Sequence, residues 1–179
     1  MLCEMPSTDL RSRRMTRLPP PTRLQIVLVG MTCEGTTDGT LNGPADEMYV
    51  ELSSLGGPAS SRGLKKRVEL GDWKEGDTRV LNRVLFDGPP QEWPYYRLTF
   101  GDNDDLQNDD IVGMVRGEVT EVEIRNNINW FFITLMAWTP ERSCAEISQA
   151  QSGPFARKNQ FYLDGEGGRY RVFLEGVLT

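Results

Sequence analysis

The chain contains no histidine in its 179 residues. Without imidazole, serine–histidine–aspartate and cysteine–histidine catalysis are excluded, and so are the common zinc, iron and copper sites that depend on histidine. Oxygen ligands are abundant instead, because aspartate and glutamate together number 26. Such ligands suit hard cations such as calcium and magnesium.

Cysteine and long apolar runs are scarce as well. The three cysteines, Cys3, Cys33 and Cys144, are widely spaced and form no Cys-x-x-Cys motif, so they indicate neither a disulfide framework nor a zinc site. The N-terminal region has no apolar signal-peptide core, and no run approaches the ~18 apolar residues needed to span a bilayer. We expect a cytoplasmic protein or a subunit of an assembled particle; export without a cleaved signal is the alternative.

Basic residues are outnumbered, 20 against 26 acidic ones, which gives a net charge of −6. Arginines cluster near the start, so the rest of the chain is more acidic than the total suggests. An acidic body argues against nucleic acid as the main partner and favours cation binding. The length fits one domain with a hydrophobic core.

Residues 1–22 are predicted to form an extended, basic, proline-rich N-terminal arm, since they are polar and end in Pro19-Pro20-Pro21. Such an arm is either a tail without fixed structure or a contact to a neighbouring subunit. Residues 23–179 are predicted to form the folded domain.

Within that domain, short stretches with two-residue alternation or continuous apolar character are separated by turn residues. This pattern predicts an all-β fold, an antiparallel eight-stranded β-sandwich. The predicted strands are 24–31, 47–52, 64–70, 78–86, 95–100, 111–124, 130–138 and 169–178. The apolar phase slips near Thr120 and Glu121, which indicates a bulge or a turn between two strands. The apolar stretch 130–138 indicates a buried central strand. One short helical insertion is predicted near 140–152.

The stretch FGDNDDLQNDDIVG (100–113) holds five aspartates and no basic residue. Asp102 and Asp104 lie two apart, and Asp110 returns six residues later. On one loop, such carboxylates can converge on a cation that takes about six to eight oxygens. The stretch is not an EF-hand, because Gln107 stands where that motif requires glycine and Gly113 where it requires glutamate.

A second acidic loop, DGTLNGPADEMYVEL (38–52), carries Asp38 and Asp46. This segment resembles the first calcium-binding loop of C2 domains, the calcium- and lipid-binding β-sandwiches of protein kinase C and synaptotagmin. Asp38 and Asp46 fall on its two aspartate positions, although the loop is about two residues longer and Glu47-Met48 stands where proline is usual. The third-loop pattern D-x-D-x5-D-x-[apolar]-G is matched from Asp102 to Gly113 without a gap. The resemblance covers residues 23–138 well and the last strand loosely.

The resemblance implies a set of site residues and calcium as the cofactor. The implied metal ligands are Asp38, Asp46, Asp102, Asp104 and Asp110, with Asp105 and Asp109 as supporting or replacement ligands. Lys65, Lys66 and Arg67 correspond to a basic stretch that binds anions or lipids. The other interpretation of these three residues is a solvated edge strand, where lysine discourages sheet-to-sheet aggregation.

The expected function is a non-enzymatic calcium-binding module with calcium-dependent binding to an anionic lipid surface or a protein partner. No enzyme is expected, because the clustered carboxylates have no apolar pocket residues between them. The alternative is a structural subunit of a larger assembly, such as a shell, tail or secretion particle, in which the N-terminal arm contacts neighbouring subunits in a homo- or hetero-oligomer. The four tryptophans, Trp73, Trp93, Trp130 and Trp138, and Cys33 are expected in the core or at its rim.

Overall fold

The computed structural model describes residues 22–37, 45–56, 65–103, 109–124, 128–138, 148–149 and 158–179, with side chains for those outside 117–138 and 148–149. These residues form β1 (Leu24–Gly35), β2 (Asp46–Ser54), β3 (Lys65–Trp73), β4 (Thr78–Gly88), a 3₁₀ helix (Pro90–Tyr95), β5 (Tyr96–Asp102), β6 (Asp110–Ile124), β7 (Ile128–Trp138), β8 (Ser148–Gln149), β9 (Asn159–Gly165) and β10 (Gly168–Leu178). All eight strands expected from the sequence are present, and β8 and β9 are two more. The all-β prediction is confirmed.

The strands form two five-stranded antiparallel sheets, in the orders β4-β1-β10-β9-β8 and β3-β2-β5-β6-β7. The connection from β1 to β2 passes from the first sheet to the second, whereas β5 and β6 are neighbours within the second sheet. This arrangement is the antiparallel sandwich that the alternating pattern predicts.

Two details of the sequence interpretation were wrong. β6 pairs with β7 in one register from Met114 to Ile124, so no interruption occurs near Thr120. Among the described strands, β7 is last in the order of its sheet, so residues 130–138 are not a central strand. An apolar run indicates that a strand is buried, but the position of that strand within its sheet is decided by pairing between segments that are distant in the sequence.

Two predicted segments fall largely outside the described residues. Of the helical insertion near 140–152, only Ser148 and Gln149 are described, and they form β8 against β9. Of the arm at 1–22, only Thr22 is described; its backbone N–H donates to the Thr179 carbonyl at 2.9 Å. This bond holds the start of the described chain beside its last residue. No helix of the described ranges is long and apolar enough to cross a membrane.

The core lies between the two sheets and is built by inward-facing apolar side chains. Trp73 and Trp93 are fully buried and Cys33 is a buried free thiol, as expected, whereas Cys3, Cys144 and the side chains of Trp130 and Trp138 lie outside the described part. Phe86 contacts Trp93 and Tyr96 with ring centroids 5.1 and 5.2 Å apart. This aromatic cluster lies where β5 begins, and the acidic loops lie where β5 ends, so the two features occupy opposite ends of the sandwich.

Candidate cation site at the loop end of the sandwich

Asp46 stands at the first position of β2 and is buried, with 3% of its surface exposed. The Thr37 backbone N–H donates to both of its carboxylate oxygens, at 3.1 and 2.9 Å. The Thr37 hydroxyl lies 3.1 Å from Oδ1, and the Tyr170 hydroxyl donates to Oδ2 at 2.6 Å. A carboxylate has about four acceptor positions, so these contacts satisfy Asp46 with neutral donors.

Asp102 ends β5 and is also buried, with 6% of its surface exposed. Its Oδ2 lies 2.8 Å from the Thr37 hydroxyl oxygen, which is the same oxygen that contacts Asp46. A hydroxyl carries one proton, so it can donate to only one of these two carboxylates at a time. The structure therefore places carboxylates from the start of β2 and the end of β5 around a single hydroxyl group.

The other predicted ligands are less closely grouped. Asp110 lies directly opposite Asp102 in the ladder between β5 and β6. Asp109 accepts a hydrogen bond from Arg67 Nη1 at 3.0 Å. Asp38, Asp104 and Asp105 lie outside the described residues. Within the described part of the chain, no three histidine, cysteine, aspartate or glutamate side chains come together as a metal site.

Three residues of this end were missed by the sequence interpretation: Thr37, Glu166 and Tyr170. Glu166 lies in the turn between β9 and β10, and its carboxylate accepts a hydrogen bond from the Ile111 backbone N–H at the start of β6. The next residue, Gly167, has φ +87°, and a Cβ there would lie 3.1 Å from the Thr37 carbonyl oxygen. The turn signal Asp164-Gly165-Glu166-Gly167-Gly168 locates this hairpin in the sequence, but nothing local indicates that it packs against the first loop.

Tyr170 supplies a permanent proton donor to Asp46. Burial, followed by the hydrogen bond and negative charge of Asp46, raises the pKa of Tyr170 far above its ordinary value. Its ring packs edge-on against Trp73 at a centroid distance of 6.5 Å. Burial also raises the pKa of the nearby Cys33 thiol, although a hydrogen bond with Tyr170 opposes this shift. Only the alternation of β10, in which Tyr170 and Val172 share the inner face, could have indicated this position from sequence.

The three basic candidates lie on β3, which is an edge strand of its sheet. Lys65 and Arg67 stand opposite Ser53 and Glu51, whereas Lys66 stands opposite Leu52. Since alternate residues of a strand point to opposite faces, Lys66 lies on the other face from Lys65 and Arg67. The three residues therefore do not form one continuous patch.

Lys65 and Arg67 are also already paired. Lys65 Nζ lies 3.1 Å from Glu51, and Arg67 bonds Glu69 at 2.8 Å as well as Asp109. The Arg67 guanidinium also stacks over the Tyr49 ring, 3.6 Å from its centroid. Burial and then the neighbouring Asp109 raise the pKa of Tyr49 to about 12, and the positive charge of Arg67 opposes the shift.

The fold defines a class of protein: an antiparallel β-sandwich of two five-stranded sheets, with Asp46 and Asp102 together at one end. No family model matches the sequence, and no curated protein matches it. Among solved structures, the chain is similar to a C2 domain of plant extended synaptotagmin 1, the one designated A, with 14% identity over 90% of this chain and 98% of that one and a TM-score of 0.37.

A second solved structure is similar to the chain at nearly the same TM-score. It is human GIVD cytosolic phospholipase A2 in complex with a methyl gamma-linolenyl fluorophosphonate inhibitor and terbium chloride. It matches with 11% identity over 88% of this chain and 32% of that one, at a TM-score of 0.36. At these identities and TM-scores, neither likeness supports a conclusion about function.

Proposed function

We propose that this chain is a non-enzymatic calcium-binding module, which binds an anionic lipid or protein surface when its acidic loops hold calcium. The observation that carries the proposal is the single Thr37 hydroxyl shared by the buried carboxylates of Asp46 and Asp102. These residues come from two loops that are far apart in the sequence.

The physical reason is the charge balance at this end. Two negative charges close together repel each other, and a buried charge without a counter-charge is costly. Asp46 has only neutral partners among the described residues, namely Thr37 and Tyr170. A divalent cation would neutralise the pair and would accept carboxylate and hydroxyl oxygens as ligands.

The proposed ligand set also includes two residues beyond the described ranges. Asp46 and Asp102 would supply the inner oxygens, with Asp110 opposite Asp102, and Asp38 and Asp104 would close the site from the two loops. Asp46 would exchange its contact with the Thr37 hydroxyl for the cation, while the Thr37 N–H and Tyr170 hold its orientation. Bound calcium would also offset the negative charge of this acidic end. Without the cation, the acidic end repels an anionic surface; with it, the repulsion is removed.

A calcium titration followed by thermal unfolding tests this proposal. Ligand at about 100 times its Kd stabilises the folded state by about 2.7 kcal/mol, which for a domain of this size raises Tm by about 5–11 °C. Asp102→Asn and Asp104→Asn should lose most of that rise. Glu92→Gln, in the 3₁₀ helix at the opposite end of β5, is the matched control and should keep it.

The downstream step is tested with vesicles of phosphatidylcholine containing about one-third phosphatidylserine. Sedimentation with the vesicles should need calcium and should be lost in Asp102→Asn. An unchanged Tm of the wild-type protein at about 10 mM calcium would contradict the cation site itself. A rise in Tm without vesicle binding would leave a calcium site that acts only on stability or on a protein partner.

The assembly-subunit alternative depends on the arm at 1–22, which lies almost entirely outside the described residues. No described contact favours it, so it stays a prediction. Light scattering of the full chain against a variant lacking residues 1–21 would test it, because loss of an oligomer in the shortened chain is its direct consequence.

A further inference from the structure

Three apolar side chains form a cluster that is separate from the core between the sheets. They are Val27 and Val29 on β1 and Phe173 on β10. Phe173 faces outward, because its neighbours Val172 and Leu174 on the same strand belong to the core and alternate residues of a strand point to opposite faces. This outer cluster therefore lies on the outer face of the first sheet.

The outer cluster is almost closed to solvent at its centre. Phe173 is 4% exposed and Val29 is 7% exposed. The two sheets pack through their inner faces, so no strand of the described ranges lies over this face. The residue opposite Phe173 on β1 is Gly30, which has no side chain to cover the ring. On the edge strand β4, by contrast, Val84 stands opposite Val27 and is 41% exposed.

The polar side chains beside the outer cluster do not supply this cover. Arg171 and Glu175 flank Phe173 on the same face of β10, and long charged side chains can cover apolar surface with their stems. Each is held by a partner outside β10, however, because Arg171 is ion-paired with Glu34 on β1 and Glu175 with Lys158 before β9. The cover therefore comes from another part of the chain.

The N-terminal arm joins the domain at the two strands that carry the outer cluster. The backbone N–H groups of Thr22 and Arg23 both donate to the Thr179 carbonyl at 2.9 Å, which holds the end of the arm beside β1 and β10. The three prolines at 19–21 have no N–H groups, so the chain leaves the ladder there. Three residues of polyproline II span about 9 Å, close to the ~10 Å that separates packed layers.

The sequence of the arm suits an apolar face on an acidic domain. Leu18 and Met15 are three residues apart, which places them on the same side of a polyproline II helix. Residues 1–21 carry four arginines and two acidic residues, a net charge of +2. Residues 22–179 carry the other 16 basic and 24 acidic residues, a net charge of −8. Opposite charge therefore favours contact between the arm and its own domain.

We propose that residues 1–21 fold back over the outer face of the first sheet of their own chain, where Leu18 and Met15 cover the outer cluster. Burial of apolar surface stabilises this contact, and the arm's positive charge adds attraction to the acidic domain. The contact lies away from the acidic loops and does not depend on calcium. It makes the arm a part of its own domain rather than a link to a neighbouring subunit.

NMR of the full chain in EDTA tests this contact. We expect nuclear Overhauser effects between the methyl groups of Leu18 or Met15 and those of Val27 and Val29. Leu18→Asp should abolish its own contacts, shift the two valine signals and lower Tm by about 4–8 °C, because one leucine loses its burial. Leu2→Asp is the matched control and should change neither, since about 50 Å of extended chain separates Leu2 from Leu18.

The dye ANS, which binds exposed apolar surface, gives a second measurement on the same variants. Its fluorescence should rise in Leu18→Asp and stay at the wild-type level in Leu2→Asp. If the arm shows no Overhauser effects to the outer cluster, and Leu18→Asp keeps the wild-type Tm and fluorescence, another segment covers the cluster and the proposal is overturned.

A mixture of isotope-labelled and unlabelled chains identifies which chain supplies the arm. Overhauser effects within one labelled chain, together with a monomeric mass in light scattering, support the proposal. Effects found only between labelled and unlabelled chains show an arm exchanged between two copies, and they overturn it. Because calcium is absent throughout, failure of this contact is distinguishable from failure of the cation site.

Discussion

Replacing Tyr170 by phenylalanine tests whether the loop end is held together by neutral donors to a buried carboxylate. The substitution removes only the hydroxyl that donates to Asp46 Oδ2 at 2.6 Å. The ring, 1% exposed and packed edge-on against Trp73, keeps its place. The change therefore removes the hydrogen bond to Asp46, together with the contact between the Tyr170 hydroxyl and Cys33, without opening a large cavity.

The expected cost follows from the charge of the acceptor. Hydrogen bonds to charged groups contribute about 1.5–3 kcal/mol, so we expect a loss of about 2 kcal/mol in the free energy of unfolding. For a domain of this size, that loss lowers Tm by about 4–8 °C. Urea unfolding in EDTA, followed by tryptophan fluorescence, measures the change without a bound cation.

Tyr162→Phe is the control for this experiment. Tyr162 lies on β9 and is 40% exposed, so its variant should differ from the wild type by no more than about 0.5 kcal/mol. If Tyr170→Phe and Tyr162→Phe have the same stability, the hydroxyl does not support Asp46 and the reasoning about the loop end fails. In saturating calcium the difference should shrink, because the cation then carries part of the charge compensation.

Two further predictions concern the face beside the acidic loops. Gly101→Ala should lower the free energy of unfolding in urea by about 2 kcal/mol, because its Cβ would lie 2.5 Å from the Tyr49 hydroxyl and 2.9 Å from a backbone carbonyl oxygen. Gly35→Ala is the control and should be nearly neutral, since the nearest atom to its Cβ would be 3.5 Å away. Equal losses of stability in the two variants would contradict this prediction. Tyr49 has a folded pKa of about 12, above its ordinary 10, so its contribution is complete below pH 10 and is lost as the pH rises through 12. Tyr49→Phe should therefore lose less stability than the wild type between about pH 9 and about pH 11. The exposed-tyrosine variant Tyr95→Phe should follow the wild type, and identical slopes for all three proteins would refute the assignment.

The interpretation of the basic stretch shows how local sequence can mislead. Lys65, Lys66 and Arg67 look like one patch because they are consecutive, yet strand geometry places the middle one on the opposite face. That much could have been foreseen from the two-residue period. The pairing of Arg67 with Asp109, 42 residues away, could not, because it depends on how β3, β2, β5 and β6 are ordered.

The sequence by itself determined eight of the ten described strands, the antiparallel class and the presence of two acidic loops. Alternation and turn residues act over a few positions, so they can be recognised without knowing the fold, and the spacing from Asp102 to Asp110 belongs to a single loop. Tertiary structure decided which side chains meet. One group of residues shows this: Thr37 in the connection after β1, Asp46 at the start of β2, Asp102 at the end of β5 and Tyr170 on β10. Thr37 contacts both aspartates and Tyr170 contacts Asp46, because the connection from β1 to β2 passes from one sheet to the other. Long-range register places these groups in one buried space, and no local pattern encodes that register.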